Sequence, residues 1–407
     1  MIYTSQNFKQ TQLKSSSEFL RGRCFKNLIE LVELDSPTRN IEGVFSVQKW
    51  VARELHNLGL TTQFIMHEKN HFAPMLVGFF HAKSAKTISL VMHADTVLDS
   101  QQYGLEGVNL EKGKLFGPGV IDNKGGIVIA LEGLRMFLSH TRPQFNIQFV
   151  CVPNEELGSD GFRQQLSSLG KKSDLILGFE PAMNDGDIIH SRHGNRWYDI
   201  TIQGIEAHSG RCQGEELNAA HEWAFKLVKI LKLKDKYRNV KLNVGSTRSS
   251  KDKYNVVCGD VTSKLDFRFE CNETKDNLHK DLTEILNQGE LSTVQGHKCD
   301  IKFSIADDCP AFSEVDASKP YFTLLKKLIH SEENYTASAI HSGGASDVNY
   351  MSHKGSVCID GLGAIGGGMH TNREYIQISS LKSRSSVLFH FLKNINNPLL
   401  KVGREFL

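Results

Sequence analysis

The sequence predicts an α/β fold with a mainly parallel central sheet, interrupted by a smaller α+β module. Three observations predict it. Apolar strand patterns alternate with amphipathic helix patterns up to about position 194, alternating strands and charged helices follow, and the α/β style resumes after Pro310. A chain of 407 residues is longer than one ordinary domain of about 100–200 residues. Residues 1–194 and 307–407 are therefore expected to build one α/β domain, with residues 195–306 inserted between them.

The elements follow in order. SSSEFLRGRCFKNLIELVEL has apolar residues at helical spacing and stops at Ser36-Pro37-Thr38. VFSVQKWVARELHNLGL is a second amphipathic helix leading into the strand TTQFIM. Then come the strand KTISLVMHAD, a glycine-rich turn and the helix IVIALEGLRMFLSH. FNIQFVCVPNEE reads as strand, DGFRQQLSSLG as helix and SDLILGFEPA as strand. In the insertion, RWYDITIQG, LNAAHEWAFKLVKILKLK, KLNVGSTRS, YNVVCGDVTSKLDFRFE, KDNLHKDLTEILNQ and DIKFSIA give strand-helix-strand-strand-helix-strand. That is the order of a ferredoxin-like module. PYFTLLKKLIHSEE (helix), GSVCIDGLG (strand) and SSLKSRSSVLFHFLKNI (helix) complete the chain, which shows no internal repeat.

Composition excludes several classes. A formal net charge of +2 leaves no electrostatic footprint for nucleic acid or an anionic membrane. The polar start lacks the apolar core of a signal peptide, and no apolar stretch approaches the roughly 18 residues of a membrane span. The 8 cysteines are dispersed without a C-x-x-C pair, as expected of mostly buried, reduced thiols in a cytoplasmic protein.

Acidic and histidine residues gather at predicted strand ends, where an α/β sheet collects its ligands. His93 and Asp95 in HAD are two apart and leave a strand end on one face, so Asp95 can accept from one ring nitrogen while the other binds metal. Asp122 in FGPGVIDNKGG is either a helix N-cap or a carboxylate bridging two cations. Glu155-Glu156 follows an apolar strand; if a turn aims both into one cleft, one binds metal and the other moves a proton. Glu180 after LILGF is a ligand or an exposed end-cap, and His370 after GGGM is open in the same way. Two histidines with several carboxylates are a set that divalent metals use to activate water. GLGAIG at 361–366 matches a dinucleotide fingerprint but lacks the following helix and an N-terminal βαβ context, and Lys124 lacks the Ser/Thr of a phosphate loop. His190 and His193 read as a strand edge, and no nucleophile elbow surrounds any serine.

HADTVLD, FGPGVIDNKGG, NEELGSDG, GFEPA, GIEAHSG, CPAF, GGASDVNY and GGGMHTNREYI occur in an order and spacing that resembles the di-zinc metallopeptidase family of acetylornithine deacetylase, succinyl-diaminopimelate desuccinylase, aminoacylase and bacterial glutamate carboxypeptidase. The strings F-G-P-G-x-x-D-x-K-G-G and F-E-P are most similar to the carboxypeptidase branch. The resemblance implies a zinc-peptidase-like catalytic domain with an inserted lid or dimerisation domain, and a homodimer formed through it. It implies two Zn²⁺, with cobalt or manganese as substitutes: His93 and Glu180 on one ion, Glu156 and His370 on the other, Asp122 on both. Asp95 would orient His93, Glu155 would be the general base, and His208 would help stabilise the oxyanion. Arg268 and Asn255 match positions that hold a substrate carboxylate; Cys258 stands where a proline is common. The expected activity is release of a C-terminal amino acid from a small peptide or N-acyl amino acid. The alternatives are an N-acyl amino acid deacylase, a non-catalytic metal-binding homologue, and an oxidoreductase using GLGAIG.

Overall fold

A computed structural model describes residues 22–82, 86–104 and 109–395; residues 15–21 of the expected first helix lie outside them. The chain divides into two units, the first comprising residues up to Ser191, Glu314–His341 and from Ser346 onward, the second Arg192–Ser313 with Ser342–Ala345.

The first unit opens with helices α1 (Arg23–Glu33) and α2 (Ile41–Asn57). Asn40 caps α2 by accepting from the Gly43 amide, 3.0 Å. Strands β1 (Thr61–Ile65), β2 (Met75–Phe80) and β3 (Thr87–His93) follow, then helix α3 (Gly126–His140), strand β4 (Asn146–Val152), helix α4 (Arg163–Gly170) and strand β5 (Leu175–Gly178). β3, β4 and β5 are nearly continuous apolar runs, as strands covered on both faces must be. α3 is buried almost all round, and the chain leaves it through Thr141 two residues before Pro143, which cannot continue a helix.

The second unit contains β6 (Gly194–Gln203), α5 (Ala219–Leu231), β7 (Lys241–Arg248), β8 (Asp260–Phe269), α6 (Asn272–Asn287) and β9 (Asp300–Cys309). Its antiparallel sheet has the order β7-β8-β6-β9, the expected ferredoxin-like arrangement. Leu278, Leu282 and Leu286 recur one turn apart along α6 and are buried in the core shared with Tyr198, Phe267 and Trp223. Both edge strands carry irregular register, at Val244/Ser246 and Ile305/Asp307, of the kind that blunts edge-to-edge pairing.

The chain then returns to the first unit with α7 (Lys319–Glu333), α8 (Asp347–Met351), β10 (Val357–Ile359) and α9 (Ile378–Asn394). α7 starts with Pro320 in its first turn and ends at Asn334 in the left-handed conformation. The completed six-stranded sheet has the order β1-β2-β4-β3-β5-β10. Its parallel part runs from β4 to β10, while β1 and β2 add antiparallel pairs that the sequence reading did not separate. α9 packs along α3, with Leu388 against Gly133. A small sheet of Asn109–Glu111, Lys114–Phe116, Gly366–Gly367 and Tyr375–Gln377 was not anticipated. All eight cysteines are free, but only Cys151, Cys299, Cys309 and Cys358 are buried, half rather than most. Among the described residues no helix is long and apolar enough to cross a membrane.

Candidate metal centre

The parallel strands β4, β3 and β5 lie side by side, and their registered ends set the site: His93 pairs with Val152, and Val91 with Gly178. Each strand hands its acidic or histidine residues to the loop beyond its carboxyl end. His93 is the last residue of β3 and is fully buried. Its Nδ1 lies 3.0 Å from the Asp95 carbonyl oxygen and 3.2 Å from Asp95 Oδ1. Asp95 thus stands where a carboxylate fixes the ring, leaving Nε2 to face the cleft.

Asp95 does more than the spacing suggested. Its Oδ2 accepts from Thr38 Oγ1 at 2.7 Å and from the Glu156 amide at 3.2 Å, and its Oδ1 accepts from the Glu155 amide at 3.1 Å. These amides begin a 3₁₀ turn, Glu155–Leu157. The turn resolves the difficulty that adjacent residues on extended backbone point apart. A second clamp comes from the far side of the turn: Ser159 Oγ donates to Asp347 Oδ1, and the Tyr350 hydroxyl donates to the Gly158 carbonyl at 3.2 Å.

Asp122 is not a helix cap. The cap position of α3 is Gly125, with no side-chain cap. Instead Asp122 Oδ1 lies 2.9 Å from His93 Nε2 and Oδ2 lies 3.2 Å from His370 Nε2. The Asp122–Asn123 peptide bond is cis. Gly126 permits the loop's close approach to the end of β5, since a Cβ there would stand 2.0 Å from Asn123 Oδ1 and 2.3 Å from the Phe179 carbonyl. Glu180 is likewise no exposed end-cap: its amide donates to Asp360 Oδ1 at 3.3 Å, and its Oε1 accepts from Asn123 Nδ2 at 3.3 Å and lies 3.8 Å from His93 Nε2. His370 holds a left-handed backbone (φ 60°), and its Nε2 is 3.3 Å from Glu156 Oε2.

Two three-residue groups result, His93–Asp122–Glu180 and Asp122–Glu156–His370, with ligand atoms in each within 4.8 Å of one another. Asp122 belongs to both. The residues fit divalent metal on chemistry as well as spacing: imidazole with carboxylate suits zinc, cobalt or manganese. Glu156 Oε1 is buried without a hydrogen-bond partner, an acceptor that a bound cation would satisfy. The charge balance agrees. Burial disfavours the charged form of His93, but Asp122 and Asp95 hold it well above the ordinary imidazole range; Asp122 and Glu156 push His370 up to about 10. Asp122 is held low despite burial by its bonds to His370 and His93. Burial, then the Glu180 charge, pushes the Glu155 carboxyl well above the ordinary carboxylate range.

The sequence of this geometry matches a known family. The profile of Peptidase family M20/M25/M40 matches residues 90–394, from within β3 to the end of α9. The chain belongs to this family. As an M20 protein it is a metal-dependent hydrolase of the metallopeptidase and amidohydrolase type. It is 26% identical to Carboxypeptidase G2 of Pseudomonas sp. (strain RS-16) over 369 residues, covering 88% of this chain and 86% of that protein. It is 24% identical to succinyl-diaminopimelate desuccinylase of Magnetococcus marinus over 373 residues, covering 86% and 93%. Aminopeptidase PepT from Bacillus cereus ATCC 10987 shares the fold at a TM-score of 0.74 and 20% identity, covering 92% of this chain and 98% of that one. The M20 metallo-carboxypeptidase Sso-CP2 from Sulfolobus solfataricus does so at 0.71 and 15%, covering 91% and 99%.

The remaining predicted residues of this M20 chain lie on the second unit. His208 is exposed and caps the turn Ser209–Arg211, its Nδ1 accepting from the Gly210 amide at 3.2 Å. The segment around it bridges to Val256, which sets His208 beside Asn255: the Ser209 amide donates to the Asn255 carbonyl at 3.0 Å. Arg268 is half-buried on β8 and donates through Nε to Asp266 Oδ2 at 3.0 Å. Sequence reasoning gave no role to Thr38, Asp347, Asp360 or Glu374. Asp347 and Glu374 stood inside quoted strings, but their contacts reach 188 and more than 250 positions along the chain, beyond any local pattern.

Proposed function

We propose that this chain is a two-metal hydrolase that releases a C-terminal amino acid from a small peptide or N-acyl amino acid. One observation carries the proposal: the two oxygens of Asp122 face different histidines, so two triads share one carboxylate. His93, Asp122 and Glu180 would hold one ion and Asp122, Glu156 and His370 the other, zinc being the metal the ligand set favours. Bound there, the ions would supply Lewis acidity toward the amide carbonyl and lower the pKa of a water. Glu155 takes the proton of the attacking water and returns it to the departing nitrogen, and its raised pKa suits it to both halves of that exchange. Asp95 keeps the His93 ring oriented and the Glu155 turn in place. His208 is assigned to the oxyanion, and Arg268 and Asn255 to the substrate carboxylate. The similarity to Carboxypeptidase G2 over most of both chains supports the carboxypeptidase direction.

A second reading, deacylation of N-acyl amino acids, is favoured by the similarity to the desuccinylase over most of both chains. A panel of peptidyl and N-acyl amino acids, assayed with and without chelator, separates the two. Preference for N-acetyl or N-succinyl substrates over peptides selects the second, and chelator-insensitive turnover overturns both. A homodimer through the second unit belongs to the same proposal. Phe225, Val228 and Leu231 lie exposed at intervals of three along α5, an apolar stripe suited to a second copy. Sedimentation of Val228→Glu beside wild type tests it, and a monomeric wild type rejects it.

A further inference from the structure

We propose that Glu374 is a positioning residue for the Asp122–Glu156–His370 pocket: its buried carboxylate latches the loop carrying Asp122 onto the arm carrying His370. The proposal rests on the two-metal reading and adds to it a residue outside both triads.

Glu374 is 4% exposed. Its Oε2 accepts from the Gly119 amide at 2.9 Å, and its Oε1 accepts from the Ile121 and Asp122 amides at 3.0 and 3.1 Å. One carboxylate therefore accepts from three amides of one irregular loop, those of Gly119, Ile121 and Asp122, the last belonging to the bridging aspartate itself. Its main chain is held as well: the Tyr103 hydroxyl donates to the Glu374 carbonyl at 2.5 Å, and the Gly117 amide to the same oxygen at 3.4 Å.

His370 sits four residues before Glu374 in a closed turn. The Thr371 amide donates to the Gly368 carbonyl at 3.1 Å, and the Glu374 amide to the Thr371 carbonyl at 3.3 Å. Gly368 has φ 72°, and a Cβ there would stand 2.4 Å from the Arg373 carbonyl, so the turn closes only around glycine. The result is a ring of constraints running from the Asp122 side chain to His370, through the turn to Glu374, and back to the Asp122 amide. The 3.2 Å separation of His370 Nε2 from Asp122 Oδ2 is one link of that ring. The other triad shares only Asp122 with it, because His93 and Glu180 are delivered by the ends of β3 and β5.

The latch therefore predicts unequal damage to the two pockets. Metal-free full-length wild type, Glu374→Gln and Glu374→Asp are titrated with Co²⁺, followed by calorimetry and visible absorption, with circular dichroism to confirm the fold. Wild type is expected to take up two ions. Glu374→Gln turns an acceptor into a donor facing amide N–H groups; it is expected to bind one ion nearly as wild type does and the other about 10–100-fold more weakly, the usual effect of losing an outer contact. Glu374→Asp, charged but too short for all three amides, is expected to fall between. In Glu374→Gln, kcat should recover at saturating Co²⁺ with KM little changed. A folded Glu374→Gln with both affinities unchanged, or both weakened equally, overturns the latch while leaving two ions in place. If Glu374→Gln does not fold, the Glu374→Asp titration is judged by the same criterion. A wild type that binds fewer than two ions overturns the two-metal reading and the latch with it.

Discussion

Asp95 accepts from a hydroxyl and two amides while facing the ring of His93, so its loss disturbs the His93 ring and the Glu155–Glu156 turn together, on the two-metal reading a proposed ligand and the proposed base. Asp95→Asn places an amide donor against those N–H groups, and metal affinity is expected to fall about 10–100-fold in a competition assay against a chromogenic chelator. Glu155 is different. Its backbone is part of the scaffold, but its side chain belongs to neither triad. Glu155→Gln is therefore expected to keep wild-type metal content by elemental analysis while kcat falls about 10²–10⁴-fold, the range for a positioned proton-transfer group. A variant that loses metal along with turnover would mean that Glu155 is a ligand. These candidates could be read from sequence because each ended an apolar run or followed a glycine cluster. Glu374 could not: its partners are backbone amides, which leave no mark on residue identity.

Among elements, the turn Glu155–Leu157 and the helix pair α3–α9 show what patterns convey and what they omit. Apolar runs in β3, β4 and β5 announced buried parallel strands, and with them the strand ends where the site lies. Whether two adjacent glutamates share a cleft was decided by a turn whose anchors come from α8 and from Asp95. Tight packing was similarly hidden. A Cβ at Gly133 on α3 would stand 2.7 Å from Leu388 Cδ2 and 2.8 Å from Leu388 Cβ on α9. Gly133→Val keeps the helix but overfills that contact, and is expected to cost about 1–3 kcal/mol in chemical denaturation, with catalytic constants of the folded fraction unchanged.

At the scale of the whole molecule, stability is linked to cations and protons. On the two-metal reading, ions that bind only the folded chain raise its stability by about 2.7 kcal/mol per site at about 100 times Kd. Chelation should therefore lower Tm, and re-addition of Zn²⁺ should restore it; an identical melt with and without chelator would count against any high-affinity site. In the second unit, burial would raise the Asp308 carboxyl, but Arg196 at 2.7 Å and Lys275 outweigh it and hold it below its ordinary 3.8. A depressed folded-state pKa contributes stability that is complete above the unfolded value and is lost as pH falls through the folded one. Arg196→Met should thus destabilise at pH 7, and its difference from wild type should shrink as pH falls below about 4. A difference that grows on acidification would contradict the ion pair's role.

Periodicity and residue chemistry, both local properties, were enough to reveal the α/β alternation, the inserted α+β module and the inventory of imidazole and carboxylate groups. Long-range folding set one oxygen of Asp122 against His93 and the other against His370, across 29 and 248 positions of chain. It also decided that Glu374 grips the Asp122 loop from the far end of the sequence. Such pairings depend on where folded backbone brings loop ends together, and no local pattern of residues encodes that distance.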